Sequence, residues 1–147
     1  MSWTIWYYIV YWLYRYFLPI FHCIPTYTEL DAMESGWKKA FGIQICKELK
    51  AQLIKDHYLY KYRITQIKEK WGYLHWYDAG HSKAVQEIIN KYADISWNTC
   101  IICGEPSTKI SGGWISPYCD GHFPKSSKVY QEKIDGKWVE KEIEDKL

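Results

Sequence analysis

Four residues in the second half of the chain have the types and the spacing of a metal site. Cys100 and Cys103 form a Cys-x2-Cys pair, and after fifteen intervening residues Cys119 and His122 form a Cys-x2-His pair. Thiolate and imidazole groups at this spacing are typical of a tetrahedral zinc site. Because four protein ligands leave no coordination position open for a substrate, we expect one structural zinc ion rather than a catalytic one.

The residues between and after the two pairs predict how they meet. Residues 108–116 have the pattern of a short hairpin that turns at Gly112 and Gly113, which would bring the pairs together. Phe123 and Pro124 follow directly after the last ligand and argue against a long helix there. We therefore expect a zinc-ribbon-like unit over residues 95–124, in preference to a treble clef.

The segment that precedes this unit predicts an α+β fold, a small mixed domain of helices and a short antiparallel hairpin. Apolar residues at three- and four-residue spacing predict an amphipathic helix from Trp37 to about Asp56. Two runs rich in β-branched and aromatic residues, 60–68 and 73–77, predict the hairpin. Ser82 is a suitable N-cap for a short helix that follows. Together these elements form an α+β core over residues 28–94.

Residues 1–27 are predicted to contain an aromatic N-terminal helix. Its apolar run, Trp3 to Leu18, ends at Pro19 and is apolar on nearly every side. A bilayer span needs about 20 apolar residues, and Arg15 lies near the end of this run, so membrane association is the less favoured interpretation. We expect a helix in the core or against a partner, and self-association into a homo-oligomer is one use for it.

Residues 125–147 are predicted to form a β-hairpin with a charged tail. Asp135-Gly136 lies between two strand-like runs and suits the two-residue type I′ turn of a hairpin. The run before the turn covers residues 128–134, and the run after it covers residues 137–143. The last four residues are charged or terminal and are expected to fray.

Cysteine usage favours a reducing compartment. The chain has five cysteines, an odd number, and lacks the pattern of a signal peptide. A secreted disulfide framework more often shows an even set. We therefore expect a cytoplasmic protein, in which Cys23 and Cys46 are buried apolar thiols rather than a reactive pair.

Positive charge and aromatic rings are concentrated in the same part of the chain. The net charge is only +2, but residues 38–70 hold nine Lys or Arg against three acidic residues, and the chain has nine Trp and fourteen Tyr. Cations that alternate with rings could bind phosphates and stack bases. Nucleic-acid binding is therefore an alternative hypothesis, with candidate contact residues Lys61, Arg63, Lys68, Lys70, Trp71, Tyr73 and Trp76.

A third hypothesis is a metal-dependent nucleic-acid hydrolase. His75, Asp78 and His81 lie within seven residues at the end of the predicted hairpin. Two imidazoles and a carboxylate could ligate a second metal or transfer protons if they converge. The alternative is a polar hairpin end without catalytic role. Since no nucleophile triad, phosphate-binding loop or dinucleotide fingerprint is present, the enzyme has no further named chemistry.

Five segments of the chain form a recognisable series. They are Thr28-Glu-Leu-Asp-Ala-Met, Gly36-Trp-Lys-Lys-Ala-Phe-Gly42, Ile67-Lys-Glu-Lys-Trp-Gly-Tyr-Leu-His-Trp-Tyr77, Thr99-Cys-Ile-Ile-Cys-Gly-Glu-Pro106 and Lys109-Ile-Ser-Gly-Gly-Trp-Ile-Ser-Pro-Tyr-Cys119. In this order they resemble a family of small, functionally unassigned proteins of tailed phages and prophages of gut-type bacteria. The resemblance covers about residues 25–122 and implies Cys100, Cys103, Cys119 and His122 as metal ligands.

The resemblance implies a phage accessory protein in the cytoplasm of a bacterial host and supplies no established activity. Small accessory proteins without catalytic motifs commonly bind host machinery. We therefore expect a non-enzymatic protein that binds and modulates or inhibits a host protein, for example one of a defence system. Its contact residues are expected among the aromatic and basic residues around Trp71, with the N-terminal helix as a second candidate.

Overall fold

A computed structural model of the protein describes residues 28–141. Its helices are a 3-10 turn Glu29–Ala32, α1 Ser35–Trp37, a π-helical segment Lys38–Gly42, α2 Ile43–Lys55 and α3 Lys83–Trp97. Its strands are β1 Ile64–Lys70, β2 Tyr73–Asp78, β3 Lys109–Ser111, β4 Pro117–Tyr118, β5 Val129–Ile134 and β6 Lys137–Glu140. The α+β prediction is confirmed. The predicted aromatic helix of residues 1–27 lies outside the described residues.

The first long helical segment runs from α1 through the π-helical segment into α2. Its buried stripe, Trp37, Phe41, Ile45, Leu49 and Leu53, repeats every four residues, which confirms the predicted amphipathic face. The backbone N–H of Thr28 donates to the Asp31 carboxylate at 2.9 Å in the preceding 3-10 turn, as expected for a residue that caps it. Gly42 lies where the π-helical geometry returns to α2.

Strands β1 and β2 form the predicted antiparallel hairpin, but β1 begins at Ile64 rather than near residue 60. The preceding residues are in turns, because the N–H groups of Lys61 and Tyr62 both donate to the Tyr58 carbonyl at 3.0 Å. The hairpin turns at Trp71 and Gly72 alone, so β1 extends to Lys70 and pairs it with Tyr73.

Helix α3 is longer than the short helix expected after Ser82. It has 15 residues, and the Ser82 hydroxyl accepts a hydrogen bond from the Val85 N–H, as predicted for its N-cap. Near its other end, Ser96 Oγ accepts the Leu74 N–H at 2.8 Å and fastens α3 to the edge of β2. The helix therefore continues beyond residue 94, where the sequence suggested that the core ends.

A second sheet joins the two C-terminal hairpins in the order β4-β3-β5-β6. Strand β3 pairs with β4 on one side and with β5 on the other, so residues 95–124 and 125–141 share one hydrogen-bonded layer. The β5–β6 turn is type I′ as predicted, since Asp135 and Gly136 both have positive φ, 48° and 78°.

The core lies between the helical segment, α3 and the inner face of the β1–β2 hairpin. Its members are apolar side chains from all three, among them Trp37, Ile45, Leu49, Ile67, Leu74, Val85, Ile89 and Tyr92, together with Ile101, which lies between Cys100 and Cys103. Burial of this apolar surface is the main source of stability.

Between residues 28 and 141, no helix has the length and apolarity that a membrane crossing requires.

Candidate metal centre

The four residues singled out by their spacing converge in the structure. One ligand atom from each of Cys100, Cys103, Cys119 and His122 lies within 4.8 Å of all the others. The Sγ atoms of Cys103 and Cys119 are 3.8 Å apart, and Cys119 Sγ is 3.1 Å from His122 Nδ1. A single metal ion could contact all four. Across residues 28–141, this is the one group of three or more such side chains with metal-site geometry.

Two tight turns present the ligands. After the first pair, the Gly104 N–H donates to the Cys100 carbonyl at 3.0 Å, with Gly104 at φ 82°. In the second pair, the His122 N–H donates to the Cys119 carbonyl at 3.1 Å. The β3–β4 hairpin carries the second turn to the first, because the Ile101 N–H donates to the Pro117 carbonyl at 3.0 Å. The expected role of this hairpin is confirmed.

The pKa values of two thiols in the cluster are shifted in opposite directions. Burial raises the pKa of Cys100, but N–H donors from Cys103, Cys119 and Ile102 more than offset it, so this pKa lies below its usual value. Burial and the neighbouring thiols Cys103 and Cys100 raise the pKa of Cys119. A divalent cation held between these sulfurs would favour the thiolate form of each of them.

The first metal turn packs directly against the start of the helical segment. The Gly36 N–H donates to the Ile101 carbonyl at 2.9 Å, and the buried Trp37 indole donates to the Thr99 carbonyl at 3.1 Å. A Cβ atom on Gly36 would lie 2.2 Å from the Cys100 carbonyl oxygen, and one on Gly104 would lie 2.6 Å from the Gly36 oxygen. Both positions therefore require glycine.

Sequence reasoning did not identify Gly36 as part of this site. Gly36 lies far from the cysteines along the chain, and one glycine before a helix predicts only a turn or a boundary. The glycine on the cysteine side, Gly104, was visible because it directly follows Cys103. A contact between two glycines of distant segments leaves no periodic pattern in a single sequence.

The seven predicted binding residues are not presented on one surface. Trp76 is only 6% exposed, lies on the core face of β2 and donates its indole N–H to the Tyr62 hydroxyl. The Arg63 guanidinium donates to the carbonyls of Tyr60 and Tyr62, next to it in the chain. Strand pairing places Lys68 opposite His75 and Lys70 opposite Tyr73 on the outer face of the hairpin. Lys61 and Trp71 are exposed.

The rings on the outer face of the hairpin already have partners. The Tyr73 ring stacks on the Trp97 ring at 4.6 Å between centroids. The Lys68 ammonium lies 5.2 Å from the centre of the Tyr77 ring, and the His75 ring stacks on the same Tyr77 ring at 6.0 Å between centroids. Trp71 differs from these residues, because its side chain is 63% exposed.

Of the three residues proposed for an acid–base or second metal site, two meet. His81 Nδ1 lies 2.6 Å from Asp78 Oδ1, and His81 Nε2 lies 2.6 Å from Gln86 Oε1. His81 therefore bridges the carboxylate of Asp78 at the end of β2 and the side chain of Gln86 on α3. His75 instead lies beside Tyr77, with 3.5 Å between His75 Nδ1 and the Tyr77 hydroxyl. The arrangement is that of a clamp between β2 and α3.

Two of the five cysteines, Cys23 and Cys46, are not among the clustered residues. Cys46 lies half-buried on α2, where burial raises the pKa of its thiol, as expected for an apolar cysteine. Cys23 lies outside the described residues.

This chain has no significant match among protein-family models, curated proteins or solved structures.

The packing of Gly36 on the metal turn can be tested by adding one methyl group. We expect Gly36→Ala to lower the free energy of unfolding by about 3 kcal/mol, because its Cβ meets the rigid Cys100 carbonyl at 2.2 Å. Gly42→Ala is the control, since its Cβ meets only side-chain atoms at ordinary contact distance. Urea unfolding of the metal-loaded proteins measures both. Equal stability of Gly36→Ala and wild type would contradict this packing.

The Asp78–His81 contact predicts a pH dependence of stability. The hydrogen bond to Asp78 raises the pKa of His81, burial opposes this, and the bond to Gln86 adds to the rise. A raised folded-state pKa contributes stability that is complete below about pH 6.5 and is lost as pH rises through the folded-state pKa. We expect the urea midpoint to fall over that range. His81→Asn should flatten the profile and Gln86→Ala should reduce its slope. An unchanged profile in His81→Asn would exclude the clamp as its source.

Proposed function

We propose that this protein is a zinc-stabilised, non-catalytic binding protein that contacts a host protein and modulates or inhibits it. The observation that carries the proposal is the exposure of Trp71 and Trp114, at 63% and 77%, on neighbouring hairpin tips of a domain that also contains the Cys and His cluster. Large exposed tryptophans on a rigid scaffold are typical anchors of protein interfaces.

Zinc is the metal that best fits the ligand set. A tetrahedral ion with Zn–S bonds of about 2.3 Å separates two sulfur ligands by about 3.8 Å, and the Cys103 and Cys119 sulfurs are 3.8 Å apart. Three thiolates and one imidazole are soft ligands that suit zinc. With a hairpin between two ligand-bearing turns, we describe the unit as zinc-ribbon-like. Since all four positions are protein ligands, the role of the ion is structural.

The two exposed tryptophans lie on adjoining turns. Trp71 is at the tip of the β1–β2 hairpin and Trp114 is in the turn between β3 and β4. The adjacent residues are close, since a Cβ on Gly72 would lie 3.5 Å from the Ile115 side chain. The metal segment thus supports a surface to which both sheets contribute.

Nucleic-acid binding is the second candidate, favoured by the charge of the hairpin. The outward positions of β1 and β2 contain Lys68 and Lys70 and no acidic residue. Phosphates could bind these ammonium groups. Base stacking is less well supported, because the neighbouring Tyr73 and Tyr77 rings contact Trp97 and Lys68. We therefore favour protein binding over nucleic-acid binding.

The setting we propose is the cytoplasm of a bacterial host during phage infection or prophage expression. It rests on the resemblance of the five segments to phage proteins and on the thiol ligands, which remain reduced in that compartment. An accessory protein of this kind acts by stoichiometric binding, so its abundance should approach that of its target.

Elemental analysis tests the metal. We expect one tightly bound zinc per chain, and Cys103→Ser should lose it together with the cooperative unfolding transition, because structural zinc supplies folding free energy. Cys46→Ser is the matched control, since Cys46 lies outside the cluster and should retain the zinc. A metal-free protein that unfolds as cooperatively as the zinc-loaded one would contradict a structural zinc site.

Affinity capture tests the function. The tagged, zinc-loaded chain should retain one protein from bacterial lysate at near-equal stoichiometry, and nuclease treatment should leave that amount unchanged. Excess untagged protein should compete for it, which controls for adsorption to the matrix. Retention of nucleic acid alone, lost after nuclease or at high salt, would instead support the second candidate.

A further inference from the structure

Two hairpins of this protein use the same turn type with very different residues. The β5–β6 turn has Asp135 and Gly136 at φ 48° and 78°, and the β1–β2 turn has Trp71 and Gly72 at φ 56° and 81°. Type I′ turns favour Asn or Asp before Gly, because the first position also needs a positive φ. A bulky side chain is a backbone outlier there. The β1–β2 hairpin therefore holds tryptophan in a conformation that tryptophan disfavours.

Burial does not account for this choice. The Trp71 side chain is 63% exposed, so most of its ring gains nothing from the core. Strained backbone that the surrounding fold does not require is often found at functional positions. The position of this residue points to a contact outside the chain.

A hydrogen bond and a close ring contact fix the turn that presents Trp71. The Gly72 N–H donates to the Glu69 carboxylate at 2.7 Å. A Cβ on Gly72 would lie 2.7 Å from the Trp97 ring, so the backbone sits directly on that ring. The Trp97 ring itself stacks on Tyr73 at 4.6 Å and meets the Trp138 ring edge-on at 6.1 Å. A preorganised anchor of this kind loses little entropy when it binds.

The shape and charge of this surface indicate the chemistry of its partner. A ring at the tip of a hairpin is convex and suits insertion into a pocket, whereas the flat outer face has rings that already have partners. Lys70 is exposed immediately before Trp71, and Lys68 lies on the same face. Cations next to an apolar anchor complement carboxylates at the rim of a pocket. Trp114, 77% exposed on the adjoining tip, adds a second apolar contact.

We propose that Trp71 is the anchor by which this protein inserts into an apolar pocket of its protein partner, a pocket whose rim carries carboxylates that pair with Lys70 and Lys68. Trp114 packs beside the pocket. This inference rests on the proposed function and names the contact surface for it.

Replacing Trp71 tests the backbone strain of the turn and partner binding separately. Trp71→Asn provides the preferred residue for the turn, so its urea midpoint should lie above that of wild type. The same variant should capture at least tenfold less partner from bacterial lysate. Asp135→Asn, the matched change in the other type I′ turn, should leave capture unchanged. Lys70→Glu should weaken capture and its dependence on salt, whereas Lys50→Glu on α2 should not.

A photo-crosslinker at the same position identifies what the anchor contacts. With p-benzoylphenylalanine at position 71, irradiation in lysate should give one covalent adduct with a host protein, and the cross-linked peptide should line an apolar pocket with Asp or Glu at its rim. Wild-type protein should compete for the adduct and Trp71→Asn should not. Adducts with nucleic acid or with a second copy of this chain would overturn the inference.

The two proposals fail in distinguishable ways. If Trp71→Asn folds and captures the same partner as strongly as wild type, the anchor is wrong and the binding function stands. If wild-type protein captures no host protein at all, both are overturned.

Discussion

A close backbone approach between two distant segments organises this domain. The carbonyl of Gly36 faces the Cβ position of Gly104, and the carbonyl of Cys100 faces the Cβ position of Gly36. At these separations any larger side chain must move backbone, and the Gly36 N–H to Ile101 carbonyl bond fixes the register of the contact. The metal turn and the helical segment therefore have one relative position, and the core side chain Trp37 is placed by the same contact.

From that contact the order of the other elements follows. Ile101 pairs with Pro117 of β4, which carries Cys119 to the cluster, and β3 extends the sheet to β5 and β6. On the opposite side, the Ser96 hydroxyl near the end of α3 accepts a hydrogen bond from the Leu74 N–H of β2. The same helix end leads into the metal segment. Both hairpins are thus joined to the same central segment, which contains the four clustered Cys and His residues.

Local signals carried most of what could be predicted from the sequence. The Cys-x2-Cys and Cys-x2-His pairs, the apolar stripe and the Asp135-Gly136 turn each depend on spacings of only a few residues, so a single sequence displays them. The joined second sheet and the Gly36 contact depend on pairs that are far apart in the chain. The faces of the β1–β2 hairpin were also hidden, because aromatic residues occupy both sides and Trp76 looks as suited to a surface as to a core.

The two type I′ turns differ in how well their first residue fits the preference of that turn type. Asp135 follows the preference of its turn and needs no further explanation. Trp71 opposes the same preference, yet Gly72 beside it obeys a strict steric demand from Trp97. One turn thus combines a residue that the fold requires with one that the fold alone does not favour. The structure thus explains the glycine by its packing on Trp97, and the proposed partner contact accounts for the exposed tryptophan.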